Sequence, residues 1–133
     1  MIEKVYAASD DTLADALALV EEELEKVDCP MKWVMQITVC VEEMFVNVAH
    51  YAYGEGTGDV TMQIDTTPSS VSITLIDSGM AFDPLAKADP DITLSAEERG
   101  IGGLGIFMVK KSMDEVRYER KDNQNIFTMV KNF

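Results

Sequence analysis

A carboxylate, a carboxamide and an imidazole lie in one column of the segment VEEMFVNVAHYAY, which spans residues 41–53. Glu43, Asn47 and His50 are four and three residues apart, so a helix places all three on one stripe. The apolar residues of the segment have the spacing of a helix that packs on a core: Val41, Met44, Phe45 and Val48. Because a buried polar group without a partner costs several kcal/mol, the stripe predicts either a ligand site or a capped, solvent-facing polar edge.

Glu43 and Asn47 together have the chemistry of a magnesium-dependent group transfer. Asn47 offers a neutral carbonyl oxygen, which suits Mg²⁺ when phosphates and water molecules supply the other ligands. Glu43, one helical turn earlier, would lie beside such phosphates as a candidate general base.

A second polar island, Asp77-Ser78-Gly79, follows the apolar run VSITLI. The Asp77 carboxylate can accept a hydrogen bond from an exocyclic amine, and Gly79 would leave room for a flat ring to approach. The same three residues also suit a plain turn, so this motif alone leaves both alternatives open.

A third island is the glycine-rich stretch GIGGLG, residues 100–105, which runs into an apolar helical segment. Its spacing matches GxGxxG, but a dinucleotide-binding fingerprint follows directly from a strand, and here a polar loop precedes it. This context argues against a nicotinamide-dependent enzyme. Glycine N–H groups and a helix N-terminus still suit a phosphate, with a hinge or packing turn as the alternative.

Hydrophobic periodicity predicts the elements that must position these islands. The order is strand, two helices, hairpin, long loop, helix, hairpin. The predicted ranges are 2–8, 11–27, 30–53, 58–79, 78–99, 103–113 and 115–133. Because strands that come in hairpins favour antiparallel pairing with helices on one face, we predict an α+β fold. It is a two-layer α/β sandwich with a mixed, mostly antiparallel sheet covered on one face by helices.

The bulk composition narrows the class of protein further. The chain has 133 residues and a net charge of −13, which disfavours direct nucleic-acid binding. Cys29 and Cys40 have no metal-ligand or disulfide pattern, which indicates free thiols in a reducing compartment. No stretch approaches the roughly 20 apolar residues of a membrane span, and no signal peptide is evident. We expect a cytoplasmic single domain over residues 1–133 without a membrane partner.

The three islands, in this order, resemble the GHKL (Bergerat-fold) ATP-binding superfamily. They are most similar to its stand-alone branch, the anti-sigma-factor serine/threonine protein kinases. EEMFVN resembles the N box of that family, DSGMAFDP its G1 box, and RGIGGLGIFMVKKSMDEV its ATP-lid and G2 region. The final NIFTMVK resembles the closing strand, with Thr128 at the matching threonine.

The resemblance implies ATP and Mg²⁺ as ligands and assigns roles to individual residues. Asp77 would recognise the adenine amine, Asn47 would ligate Mg²⁺, and Glu43 would deprotonate the serine hydroxyl of a protein substrate. The other implied nucleotide contacts are Gly79, Arg99, Gly103, Leu104, Gly105 and Thr128. Gly103 and Gly105 would line the triphosphate, and Arg99 would reach the γ-phosphate from the lid.

Two positions depart from the family pattern. Many relatives carry a histidine four residues after the asparagine, where this chain has Tyr51, and His50 stands one position earlier. We therefore predict a structural or interface role for His50. Arg99 precedes the glycine pair by two extra residues.

The implied function is phosphorylation of a STAS-type anti-anti-sigma partner by a homodimeric kinase, with a sigma factor as a further partner. The alternative is a non-catalytic ATP-binding module that sequesters a protein partner. Glu43 argues against it, because nucleotide binding alone needs no base beside the phosphates. A histidine-kinase catalytic domain is a third alternative, but 133 residues leave no room for a dimerisation helix pair.

Overall fold

The computed structural model describes residues 1–86 and 103–133. Over these ranges the chain forms an antiparallel sheet and three α-helices. The strands are β1 (Ile2–Ala7), β2 (Asp59–Thr67), β3 (Ser70–Asp77), β4 (Glu115–Lys121) and β5 (Gln124–Asn132). The helices are α1 (Leu13–Lys26), α2 (Met31–Asn47) and α3 (Gly103–Ser112). A 3₁₀ turn, Asp10–Thr12, leads into α1, and a π-helical turn, Val48–Ala52, continues α2.

The sheet has the strand order β1-β2-β3-β5-β4, with every neighbouring pair antiparallel. Buried and partly exposed residues alternate along β3 and β5, so one face of the sheet is covered and the other is open. The covered face packs its apolar side chains with those of the helices in one core. The predicted α+β sandwich is confirmed, and the described strands show none of the parallel pairing that a mixed sheet would include.

Local sequence accounts for the ends of several elements. Ser9, one of the predicted cap residues, accepts a hydrogen bond from the Asp11 N–H through its Oγ at 3.1 Å. Between β4 and β5, Asp122 and Asn123 have φ angles of 54° and 62°, which are typical of a two-residue type I′ hairpin turn. This tight turn sets the register between β4 and β5. On its other side, β5 pairs Asn125 with Asp77 of β3.

The second helix differs from its prediction at its C-terminal end. Its α-helical part ends at Asn47 instead of continuing to Tyr53, and the wider turn Val48–Ala52 follows. This turn leaves the Ala52 carbonyl to accept a hydrogen bond from the Met80 N–H at 2.7 Å. Single π-helical turns of this kind often mark functional sites.

The structure also bears on the predictions for the cysteines, the long loop and a membrane span. Cys29 and Cys40 are free thiols, as predicted, and burial raises the pKa of both. The predicted long loop is irregular from Ser78 to Ala86, while Arg99 and the remainder of that loop lie outside the described residues. None of the described helices is long and apolar enough to cross a membrane.

Candidate active site

A cleft of about 540 Å³ opens beside the C-terminal part of α2 and the end of β3. Asn47 of α2 and Asp77 of β3 both line it, so the fold brings two of the three polar islands together. Apolar side chains, among them Phe82 and Ile106, complete its walls. A mostly apolar cleft with a few convergent polar groups is the usual form of a small-molecule site.

Asp77 is buried at the cleft wall, with 6% of its surface exposed. Its Oδ1 accepts hydrogen bonds from the Gly79 N–H and from Asn125 Nδ2, both at 2.9 Å. Within the described part of the chain, Oδ2 accepts no hydrogen bond. Asp77 therefore keeps one carboxylate oxygen for a donor on a ligand.

Asn125 is a site residue that was not predicted from the sequence. Its Nδ2 donates to Asp77 Oδ1 and, at 2.7 Å, to the Met80 carbonyl. Its Oδ1 accepts from the Tyr118 hydroxyl at 2.6 Å and from the Phe82 N–H at 3.3 Å. Both donors and both lone pairs of the carboxamide are thus used. Asn125 thereby orients Asp77 and holds the segment that follows it against the sheet.

Gly79 allows the end of β3 to dock on the π-helical turn. A Cβ atom at this position would collide with the backbone carbonyl of Ala52. Tyr53 adds a second tie, because its hydroxyl accepts a hydrogen bond from the Ser78 N–H at 2.9 Å. These contacts fix the position of Asp77 relative to the end of α2. They also give Gly79 a structural role besides the close approach to a ring that the sequence predicted.

Asn47 is half-buried and has a carbonyl oxygen available to a ligand. Its Nδ2 makes only a long hydrogen bond, 3.4 Å, to the backbone carbonyl of Glu43. The described residues contain no group of three or more His, Cys, Asp or Glu side chains that could hold a metal. A magnesium ion in this cleft would therefore depend on Asn47 Oδ1 together with ligand phosphates and water, which is a donor set that Mg²⁺ accepts.

Glu43 lies one turn before Asn47 and lines a second, smaller groove between α2 and α3, of about 330 Å³. Its carboxylate touches the first turn of α3 at Gly105. A Cβ atom at Gly105 would collide with Glu43 Oε2. The two helices therefore meet at the Glu43 carboxylate, and a larger residue at Gly105 would displace this flexible side chain.

The structure corrects the nucleotide contact that was predicted for Thr128. Its hydroxyl lies 3.1 Å from that of Thr74, on the open face of the sheet. Asn125 and Phe127 line the cleft on the covered face. Because successive side chains of a strand point to opposite faces, Thr128 cannot reach the cleft from its place in β5.

The other predicted site residues have varied positions. Gly103 is the first residue of α3 and Leu104 follows it in that helix, whereas Arg99 lies outside the described residues. Tyr51 lines the cleft. His50 Nε2 lies 2.8 Å from Asp10 Oδ1 and so ties the π-helical turn to the turn before α1. This pairing agrees with the structural role predicted for His50.

Comparison with known families identifies the class. Residues 6–131 match the family described as the histidine kinase-like ATPase domain. Because the match extends over almost the whole chain, the protein belongs to this family. The GHKL resemblance drawn from the three islands is thereby confirmed.

Individual relatives are kinases by name. The chain is 26% identical to the serine/threonine-protein kinase BtrW of Bordetella bronchiseptica over 95 residues, which is 71% of this chain and 67% of BtrW. It is 28% identical to the serine-protein kinase RsbW of Listeria monocytogenes over 86 residues, 61% of this chain and 55% of RsbW. The chain thus spans between about half and two thirds of the length of these curated relatives.

A solved structure agrees with this fold. The SiaB–SiaC complex from Pseudomonas aeruginosa contains a chain that superposes with a TM-score of 0.62 at 16% identity, covering 98% of this chain and 88% of that one. At this identity the likeness establishes the shared fold alone.

Proposed function

We propose that this protein is an ATP- and Mg²⁺-dependent serine/threonine protein kinase of the anti-sigma-factor type. Its substrate is a STAS-type anti-anti-sigma protein, and the phosphorylation regulates a sigma factor. It acts in the cytoplasm as a homodimer of single-domain chains. The observation that carries the proposal is the position of Glu43, one turn from Asn47 and in contact with the start of α3.

The cleft has the features that an adenine nucleotide needs. The unpaired Oδ2 of Asp77 would accept a hydrogen bond from the exocyclic amine of adenine, while Phe82 and Ile106 would contact the ring. Asn47 would hold Mg²⁺, which neutralises phosphate charge when bound. These side chains bind and orient the nucleotide without themselves taking part in a covalent step.

Glu43 would provide the acid–base chemistry. Its carboxylate would take the proton of the acceptor hydroxyl as that oxygen bonds to the γ-phosphorus and ADP leaves. Phosphoryl transfer depends mainly on positioning and on stabilising charge, so one well-placed base of this kind is a sufficient contribution from the protein.

A second candidate function is a non-catalytic ATP-binding module that sequesters its protein partner. One observation favours it: Glu43 lines the neighbouring groove, whereas Asn47 and Asp77 line the cleft itself. In this case the carboxylate would contact the partner and not the transferred phosphate.

A transfer assay separates the two candidates. The STAS-domain proteins of the same genome would be purified and incubated with the protein and radiolabelled [γ-³²P]ATP·Mg²⁺. We expect one of them to be labelled on serine or threonine by the wild type and by Glu42→Gln, whose residue is an exposed neighbour of Glu43. We expect Glu43→Gln to bind ATP normally and to give no label. Equal labelling by both variants would refute the role of Glu43, and no labelling by any form would favour the binding module.

A further inference from the structure

The groove between α2 and α3 carries an unusual share of the exposed apolar surface. Four of the nine large apolar side chains that are exposed in the described residues lie along it or at its end. They are Met31, Met35, Val39 and Met108, with 43 to 70% of their surface exposed. An exposed apolar patch of this kind is typical of an interaction surface.

Glu43 lies at one end of the groove, and lysines predominate near the opposite end, where Asp114 also lies 3.9 Å from Lys131 Nζ. Lys32 lies in the first turn of α2 with its Nζ 4.5 Å from the centre of the Trp33 ring, and Lys111 lies in the last turn of α3 with its Nζ 5.5 Å from that of Phe107. Both lysines are exposed, beside the groove and not in its lining. Lys131 fixes this end, since its Nζ donates to the Ser112 carbonyl at 2.9 Å and lies 4.3 Å from the centre of the Trp33 ring. These lysines form a local positive charge on a chain whose net charge is −13.

The distance between the two ends of the groove sets the length of the partner segment that can bind there. Lys32 and Glu43 are eleven residues apart on one helix, which corresponds to about 16 Å at 1.5 Å per residue. A surface segment of a folded protein can span this length. Its hydroxyl group would then reach Glu43 while a carboxylate at its far end reaches the lysines.

We propose that this groove is the docking surface for the phosphoacceptor protein, an inference that rests on the proposed function. The partner presents its serine or threonine at Glu43, packs an apolar ridge between Met35, Val39 and Met108, and places an acidic group beside Lys32 and Lys111. ATP enters from the other cleft, so that the two substrates meet at Glu43 from opposite directions along α2.

Glu43 favours this partner over a second copy of the chain as the occupant of the groove. The acceptor hydroxyl must reach the Glu43 carboxylate during transfer, whereas a second copy seated on the groove would cover that carboxylate. The proposed homodimer would therefore use another surface, and an acidic group on the acceptor protein would gain from the lysines at the far end of the groove.

The test uses four single or double variants and the same panel of STAS-domain proteins, with the non-hydrolysable analogue AMP-PNP·Mg²⁺ present. The groove variants are Val39→Glu and Lys32→Glu/Lys111→Glu. The matched controls are Val5→Glu, at an exposed valine of β1, and Lys121→Glu, at an exposed lysine of β4. Binding of each panel protein is measured by biolayer interferometry, AMP-PNP affinity by calorimetry, and oligomeric state by sedimentation.

We expect both groove variants to weaken binding of the partner by about tenfold or more, with unchanged AMP-PNP affinity and unchanged oligomeric state. The effect of the double lysine variant should shrink at 0.5 M salt, whereas that of Val39→Glu should not. Equal binding by groove and control variants would overturn the proposal, as would a groove variant that loses only self-association, or a panel in which no protein binds. A panel protein that binds through the groove but is never phosphorylated would refute the kinase assignment and support the docking surface.

Discussion

Asp77 and Asn125 are direct partners in the β3–β5 register, and the Asn125 amide donates to the Asp77 carboxylate at 2.9 Å. Both side chains are buried, each with 6% of its surface exposed. The carboxamide occupies Oδ1 of the acid, and the Gly79 N–H occupies the same oxygen. The pair thereby leaves Oδ2 without a donor among the described residues, so this oxygen is available to a donor such as an amine.

Replacing Asp77 by asparagine should weaken ATP binding by about 10- to 100-fold. An amide nitrogen in place of Oδ2 would face the adenine amine donor to donor, and a hydrogen bond to a charged group contributes about 1.5–3 kcal/mol. Calorimetric titration with ATP·Mg²⁺ measures the change. Asp65→Asn, at an exposed position of β2, is the matched control. Normal ATP affinity in the Asp77 variant would remove Asp77 from the adenine site.

Replacing Asn125 by leucine should lower both stability and ATP affinity. Leucine has a similar shape but removes one of the two donors to the buried Asp77 Oδ1, and it also removes the partners of the part-buried Met80 carbonyl and Tyr118 hydroxyl. The cost is about 1–3 kcal/mol for each group that water cannot reach. Urea unfolding and ATP titration measure the two effects. Asn132→Leu, at the exposed end of β5, should change neither. An Asn125 variant as stable as the wild type would show that this network does not hold the site together.

The sequence predicted the order of the elements because each carries a clear local signal. Ser9 caps the first turn, and Asp122 and Asn123 are residue types that tolerate the positive φ of a tight hairpin. Helical spacing alone predicted that Glu43 and Asn47 lie on the same side of one helix.

The role of Asn125 could also have been found from the sequence. In NIFTMVK, Asn125 alternates in phase with Phe127 and Met129, which are buried, whereas Thr128 is out of phase with them. Period-2 alternation thus places Asn125 on the core face and Thr128 on the opposite one. The contact between Glu43 and Gly105 could not be predicted in this way, because it depends on how α3 packs against α2.

Replacing Asn47 by alanine should abolish the Mg²⁺ dependence of ATP binding. Asn47 offers an amide oxygen to an ion in the cleft, and no described cluster of acidic or imidazole groups could replace it. We expect the wild type to bind ATP more weakly in EDTA than in Mg²⁺, and the variant to bind equally weakly in both. Calorimetry under the two conditions, with Asn132→Ala as the control, measures this. A variant that still responds to Mg²⁺ would mean that the ion is held elsewhere.

Replacing Gly105 by alanine should reduce phosphoryl transfer without destabilising the protein. Alanine is favoured over glycine inside a helix by about 1 kcal/mol, so the thermal unfolding temperature should stay level or rise. The new Cβ would nevertheless collide with Glu43 Oε2, and the carboxylate, as the end of a flexible side chain, must move away. Because a small misplacement of a catalytic group can cost about 100-fold in rate, transfer to the labelled STAS protein should fall by at least about tenfold. Because Gly105 is also predicted to line the triphosphate, ATP affinity is measured in parallel and transfer is compared at saturating ATP. Full transfer activity in a stable Gly105→Ala variant would show that the carboxylate position does not control the reaction, and Glu43 would lose its role as the base.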